Sequence, residues 1–265
     1  MAGPQKQSTT RRRKASLPRT GTRAAEEYFD VYREVNGFFH WLLHLVGSAD
    51  HVVKIATEAL ISVTDSEEER RRMKEKAHQP GPLDELKRQR QLILEIVLVR
   101  HIEAYLNYLA GLLFEIFTQR PETLRSSDQV EVSRVLQHKS IQELVHELAQ
   151  RKVDSLSYSS FDDLAAFFSA RFGLEIVQQD AVVTIKEAIE TRNISVHNRC
   201  IVNERYVART GADPGRIGKR RTLVIRDLDQ LIPLLCQSVR SLDRAARKKL
   251  RLIGVRFKSA RPSAS

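Results

Sequence analysis

Cysteine is almost missing from this chain. Its 265 residues contain two, Cys200 and Cys236, with no Cys-x-x-Cys pair. That excludes a disulfide framework and argues against a zinc site built on thiolates, and it fits a reducing cytoplasm, where the protein is expected to reside. Glycine and proline are scarce, at 11 and 8 residues, while Leu, Glu, Arg and Ala abound, a balance that favours helices. Long apolar runs are missing too. Ala104–Phe114, eleven residues, is the longest nearly uncharged apolar stretch, and it follows Arg100, His101 and Glu103. A membrane span needs ~20 apolar residues, so no membrane association is expected. No apolar segment follows the basic N-terminus, so no secretory signal is expected. His40 and His44 lie four apart with no third ligand evident, so neither a metal nor a cofactor is expected. There is no HExxH and no nucleophile elbow. Gly218-Lys219 resembles the end of a phosphate loop, but Asp213 stands where such a loop needs Gly, and Arg220 where it needs Ser or Thr.

Acidic residues are absent from residues 1–23, which carry seven basic ones. Residues 209–226 hold six basic and one acidic residue, and residues 240–265 hold nine and one. These flanks carry +20 against a whole-chain charge of +11, which leaves −9 for the helical body. Basic flanks suit a polyanion such as RNA, or serve as solvated tails.

In chain order, residues 1–23 are too polar to bury a core and are expected to form a disordered basic tail. Residues 24–82 follow as an N-terminal helical extension, residues 83–258 as a helical domain, and residues 259–265 as a disordered tail. Tyr28, Val31, Tyr32, Val35, Phe38, Phe39, Leu42 and Leu43 recur at helical spacing, with a break expected at Gly47-Ser48 and a second helix to Ile61. Trp41 and its aromatic neighbours are expected in the core. The run DSEEERRRMKEK predicts a solvated helix laced with i,i+4 ion pairs, stopped by HQPGP at residues 78–82. Leu83–Gln119 is expected to be the longest helix, with Leu92, Ile96, Val99, Leu106, Leu109, Leu113 and Phe117 inward. Residues 129–151 read as helix in one or two pieces, with Ser140 a possible cap and Ile141, Leu144, Val145 and Leu148 inward. Phe161–Phe172 is a short helix ending at Gly173, its Phe167, Phe168 and Phe172 placed for a core or for stacking on bases. Glu204–Arg209 and Arg221–Ile225 have strand-like composition around a Gly/Pro/Asp-rich loop, which predicts a small β-hairpin. Its basic tip, Arg216, Lys219, Arg220 and Arg221, is either an RNA-backbone grip or a solvated turn. Asp227–Leu250 returns to helix, with Pro233 as a kink or a start.

The stretch Glu187–Tyr206, EAIETRNISVHNRCIVNERY, stands apart. Apolar Val182, Val183, Ile185, Ala188, Ile189 and Ile194 build a helix pattern that Arg192, Asn193, His197 and Asn198 interrupt near its end. Arg carries a permanent planar fork suited to phosphate oxygens, and His is the side chain that exchanges a proton near neutral pH. Asn193 and His197, four apart, share a helical face, and Asn198 follows where an amide can cap a breaking end. If the Leu83–Gln119 helix packs on this one, Arg100 and Glu103 surround His197 or form an ordinary buried ion pair.

Arg192-Asn193-Ile194-Ser195-Val196-His197-Asn198 resembles the Arg–polar–x–x–x–His motif of HEPN domains, over Gln178–Tyr206 and more loosely back to about Arg100. The resemblance implies an all-α, HEPN-like helical bundle. It implies a metal-independent endoribonuclease that works as a homodimer, with Arg192 and His197 as catalytic pair and Asn193 orienting them. It also implies a role in toxin or antiviral defence, with a protein antitoxin or regulator as partner. Arg199 stands where one toxin subtype carries a modified Tyr, which argues against that subtype. Two other readings stay open: a HEPN-like protein that binds RNA or a nucleotide without cleaving it, and a helical adaptor whose basic tails meet an acidic partner.

Overall fold

The structure is a computed structural model that describes residues 17–64, 66–77, 81–124 and 130–258. The tail expected at residues 259–265, residues 1–16 of the basic tail expected at the other end, and residues 78–80 of the expected stop lie outside the described residues. The architecture is all-α. Ten α-helices are described: α1 (Arg23–Val63), α2 (Glu67–Ala77), α3 (Pro82–Arg88), α4 (Arg90–Gln119), α5 (Val132–Gln137), α6 (Ile141–Ser157), α7 (Phe161–Phe172), α8 (Gln179–Asn198), α9 (Glu204–Thr210) and α10 (Ile225–Leu250).

α4 is the central post, packed by α1, α6, α8 and α10. Leu98, Ile102, Tyr105, Leu109, Leu112 and Ile116 recur along it at three-to-four spacing and are fully buried. Its apolar length, which by composition alone would suffice to cross a membrane, supplies this core. The two tyrosines on the same face keep their hydroxyls satisfied. Tyr105 pairs with Ser238 Oγ at 2.8 Å, Ser238 donates onward to the Ile176 carbonyl at 2.7 Å, and Tyr108 donates to the Val239 carbonyl at 3.3 Å. Such bonds lock α10 and the segment before α8 in register with α4.

The two ends of the described chain meet. β1 (Thr20–Gly21) pairs antiparallel with β2 (Val255–Arg256). Gly21 is required there, because a Cβ would sit 2.6 Å from the Phe257 ring. Thr22 is fully buried, caps α1, and donates through both N–H and hydroxyl to Asp243 of α10, at 3.1 and 2.5 Å. Residues 17–23 therefore depart from the expected disordered tail: Leu17 packs against the core, the Arg19 carbonyl accepts from the Phe257 amide, and Thr22 is held by Asp243. Ala24, Ala25, Tyr28 and Phe29 lie in the same core as α4 and α10.

α1 runs antiparallel to α4: Ala24 faces Gly111, and the Tyr32 ring lies 5.9 Å from His101. Beyond the start of α4, α1 continues as an arm flanked by α2 and α3. This accounts for three departures from expectation. Gly47-Ser48 does not break the helix, which is continuous for 41 residues and the longest described; an exposed interior glycine costs only ~1 kcal/mol. Trp41 and Phe38 are 59% and 62% exposed instead of buried, because no element among the described residues covers that face of the arm. Leu92 and Ile96 are exposed for the same reason, at the arm end of α4, and the expected Leu83–Gln119 helix is interrupted at Gln89. Elsewhere the local signals hold. Ser140 caps α6 through the Glu143 amide, Gly173 ends α7 in the left-handed region at φ 58°, and Arg72–Glu68 and Arg71–Glu75 pair along α2. Ile141 is exposed, being in the first turn of α6 ahead of its inward face.

His101 is a cost inside this core. Its side chain is fully buried and neither ring nitrogen has a hydrogen-bond partner. Burial first, and the Arg100 charge second, push its pKa down to about 4 from 6.5. The unfolded chain takes up this proton as the pH falls below 6.5, whereas the folded chain takes it up only near 4. The stability it contributes is therefore complete above neutral pH and is lost as the pH falls through that window, by on the order of 3 kcal/mol. His101→Leu should remove the loss. In urea unfolding, the wild type should lose stability relative to His101→Leu as the pH falls from 6.5 to about 4; parallel pH profiles would show that His101 does not titrate in this way.

Candidate functional site

α8 extends over Gln179–Asn198 and packs on α4, α9 and α10. Its end is built from left-handed residues, Arg199 (φ 51°) and Cys200 (φ 60°), with the Cys200 amide returning to the Ile194 carbonyl at 2.9 Å. Asn198 donates to the Ile201 carbonyl at 2.7 Å and so braces the turn. Ile194, Val202 and Tyr206 form a small separate core beneath it.

The expected β-hairpin over 204–226 is not formed. Glu204–Thr210 is helix α9, capped by Asn203 through the Tyr206 amide at 2.8 Å and ended by Gly211 at φ 71°. The cap and the glycine stop outweigh the strand-like composition. What remains of the pairing is a single antiparallel bridge, Ile201 with Arg220. The four basic residues expected at the tip divide accordingly. Arg220 pairs with Glu95 of α4 at 2.8 Å, and Arg221 pairs with Glu187 at 3.2 Å and Asp227 at 3.5 Å. Burial pushes the Glu95 carboxyl up, but hydrogen bonds from Gln91 and Arg220 outweigh it and bring it down overall. Arg216 and Lys219 carry no ion pair among the described residues, and Lys219 is exposed.

The motif residues meet a network. Arg192 donates to Glu103 of α4 at 3.1 Å and to the Asn193 side-chain oxygen at 3.2 Å. Asn193 in turn donates to Glu190 at 3.2 Å, which also takes a bond from Arg209 of α9 at 2.9 Å. Arg100 stands 3.8 Å from Glu103. The chain Arg100–Glu103–Arg192–Asn193–Glu190–Arg209 thus ties α4, α8 and α9 together. Glu103 contacts Arg192, not His197. His197 is exposed and makes no hydrogen bond among the described residues.

Two adjoining cavities flank this network. One, of about 380 Å³, is lined by Glu103, Glu190, Arg192, Asn193, Arg205 and Arg209 over an apolar floor. The other, of about 180 Å³, is lined by Glu190, Asn193, His197, Asn198, Asn203 and Arg205. Glu190, Asn193 and Arg205 are common to both. Arg192 and His197 therefore face neighbouring hollows with Asn193 between them. Glu190, Arg205 and Arg209 were not singled out from the sequence. Glu190 had a signal, a carboxylate in register with apolar Ala188, Ile189 and Ile194; the two arginines had none. No family model matches the chain, and neither a curated protein nor a solved structure does so.

Glu190, 4% exposed, accepts from both Asn193 and Arg209. Glu190→Ala should cost about 2 kcal/mol in urea unfolding at neutral pH. Glu68→Ala, whose pair on α2 is solvent-exposed, should cost less than about 1 kcal/mol. Equal losses would show that the Glu190 network does not hold the site together.

Proposed function

We propose that this chain is a HEPN-like, metal-independent endoribonuclease acting on single-stranded RNA. The observation that carries the reading is the arrangement at the end of α8. Arg192 is held from α4 by Glu103, Asn193 bridges it to Glu190, and His197 faces the adjoining hollow with its ring free of protein bonds. The reaction is attack of the RNA's own 2′-hydroxyl on the adjacent phosphorus, with departure of the 5′-oxygen. The 2′-oxygen loses a proton, the 5′-oxygen gains one, and the products are a 2′,3′-cyclic phosphate and a 5′-hydroxyl. Imidazole does proton work worth ~10²–10⁴-fold. The Arg192 guanidinium, with Arg205 beside it, offers directed donors to the charge that builds on the phosphate. A homodimer would bring a second motif, and RNA is the partner in this reading.

A second reading, RNA binding without cleavage, is favoured by one observation: Arg192 already donates to both Glu103 and Asn193, so part of its fork is engaged. Labelled mixed-sequence RNA incubated with the purified chain in EDTA separates the two. The wild type should leave cyclic phosphate ends, and Arg192→Ala and His197→Ala should each cleave ~10²-fold or more slowly. Salt-sensitive binding that survives His197→Ala, with no cleavage by any of the three, would establish the second reading.

A further inference from the structure

The larger cavity beside the network is more than a gap behind Arg192. Its volume, about 380 Å³, lies within the range of small-molecule sites. Its floor is apolar: Leu106, Ala110 and Leu113 from α4 meet Phe161 and Leu164 from α7. One wall is cationic, with three guanidiniums, Arg192, Arg205 and Arg209, against two carboxylates, Glu103 and Glu190. At the rim stands Tyr158, in the turn between α6 and α7, 92% exposed. A tyrosine so exposed gives up almost none of its ring to the fold and presents both faces to solvent. Asn107, also on the lining, makes no side-chain hydrogen bond among the described residues and offers both a donor and an acceptor.

A flat ring with polar edges joined to a phosphate matches each of these features. We infer that this cavity is a pocket for one unpaired nucleobase of the RNA strand, with Tyr158 stacking on it, Asn107 meeting its edge and the adjoining phosphate lying toward Arg192 and Arg205. The inference rests on the ribonuclease reading for the identity of the strand. It explains why the apolar floor and the Arg192 wall belong to one hollow: stacking and apolar contact hold the base while the charged wall receives the backbone. The pocket selects single strands, because a base still paired in a helix cannot enter it.

The test uses the full chain and two probes that cannot be cleaved. One is a dinucleoside monophosphate with 2′-deoxyribose on the 5′ side; the other is the same phosphodiester with an abasic sugar there. Binding is followed by NMR titration of the methyl signals of Leu106 and Leu113. The base-bearing probe should bind at least fivefold more tightly than the abasic one. Tyr158→Ala should erase that preference and Tyr158→Phe should keep it. Folding is not at issue for either variant, since the side chain is almost wholly in solvent. Ala110→Leu, which fills the floor, should also erase it. Equal affinity for both probes, or an unchanged preference in Tyr158→Ala, overturns the pocket. RNA cleavage by a wild type with no base preference removes the pocket and keeps the ribonuclease. Base-dependent binding by a chain that cleaves no RNA keeps the pocket and removes the ribonuclease.

Discussion

The ion pair between Glu103 of α4 and Arg192 of α8 is the contact on which the site depends. A guanidinium on a helix surrounded by apolar positions is costly to bury unless a carboxylate meets it. Here the carboxylate comes from the central helix, so the fork is anchored to the most buried part of the fold. Asn193 and Glu190 then extend the same logic to Arg209 on α9. Each group satisfies the next, and the three helices can occupy only one relative register without orphaning a charge. The cavities on either side are the space this network holds open.

The turn after α8 follows the same economy. Arg199 and Cys200 both adopt left-handed backbone, a conformation that costs non-glycine residues of order 1–3 kcal/mol. The small core of Ile194, Val202 and Tyr206, together with the Arg220–Glu95 and Arg221–Glu187 pairs, stabilises it from below. A cluster of arginines in the sequence is therefore not the same thing as a free basic patch. Two of the four expected RNA contacts brace the loop against α4, α8 and α10, and only Arg216 and Lys219 keep their charge unpaired.

Helices whose ends carry a chemical stop were legible in the sequence. Ser140 and Gly173 act locally, and α6 and α7 form beside them, although α6 runs on to Ser157, past the end expected at residue 151. The helical state of Val182–Ile194 in α8 was legible from its apolar spacing. Burial on the arm was not, because periodicity marks an apolar face without saying whether anything covers it. Phe38 and Trp41 fit the helix pattern of α1 as well as Tyr28 and Phe29 do, yet only the latter pair meets α4 and α10. α9 was missed because β-branched and aromatic residues in a seven-residue segment outvote a cap that has to be recognised in its context. At the site, Arg192, Asn193 and His197 were visible as a pattern. Arg205 and Arg209 were not, because their relevance comes from α9 folding back onto α8.

The composition of the two hollows bears on how a cleavage reaction would have to run. Strand attack by a 2′-hydroxyl needs one group to remove a proton and another to deliver one. Of the side chains lining the two cavities, His197 alone is an imidazole. Glu103 and Glu190 are already engaged by Arg192 and Arg209, and drawing either into the reaction would leave an arginine unpaired. The second proton group must then come from the substrate's surroundings. His197 is solvent-exposed at the helix end, and Val196 beside it and Val183 on the same helix are exposed apolar residues. The exposed imidazole leaves room for a second copy of the same helix end, which in the ribonuclease reading would bring its own His197 to the other side of the phosphate. In that reading each chain would supply half of the proton traffic.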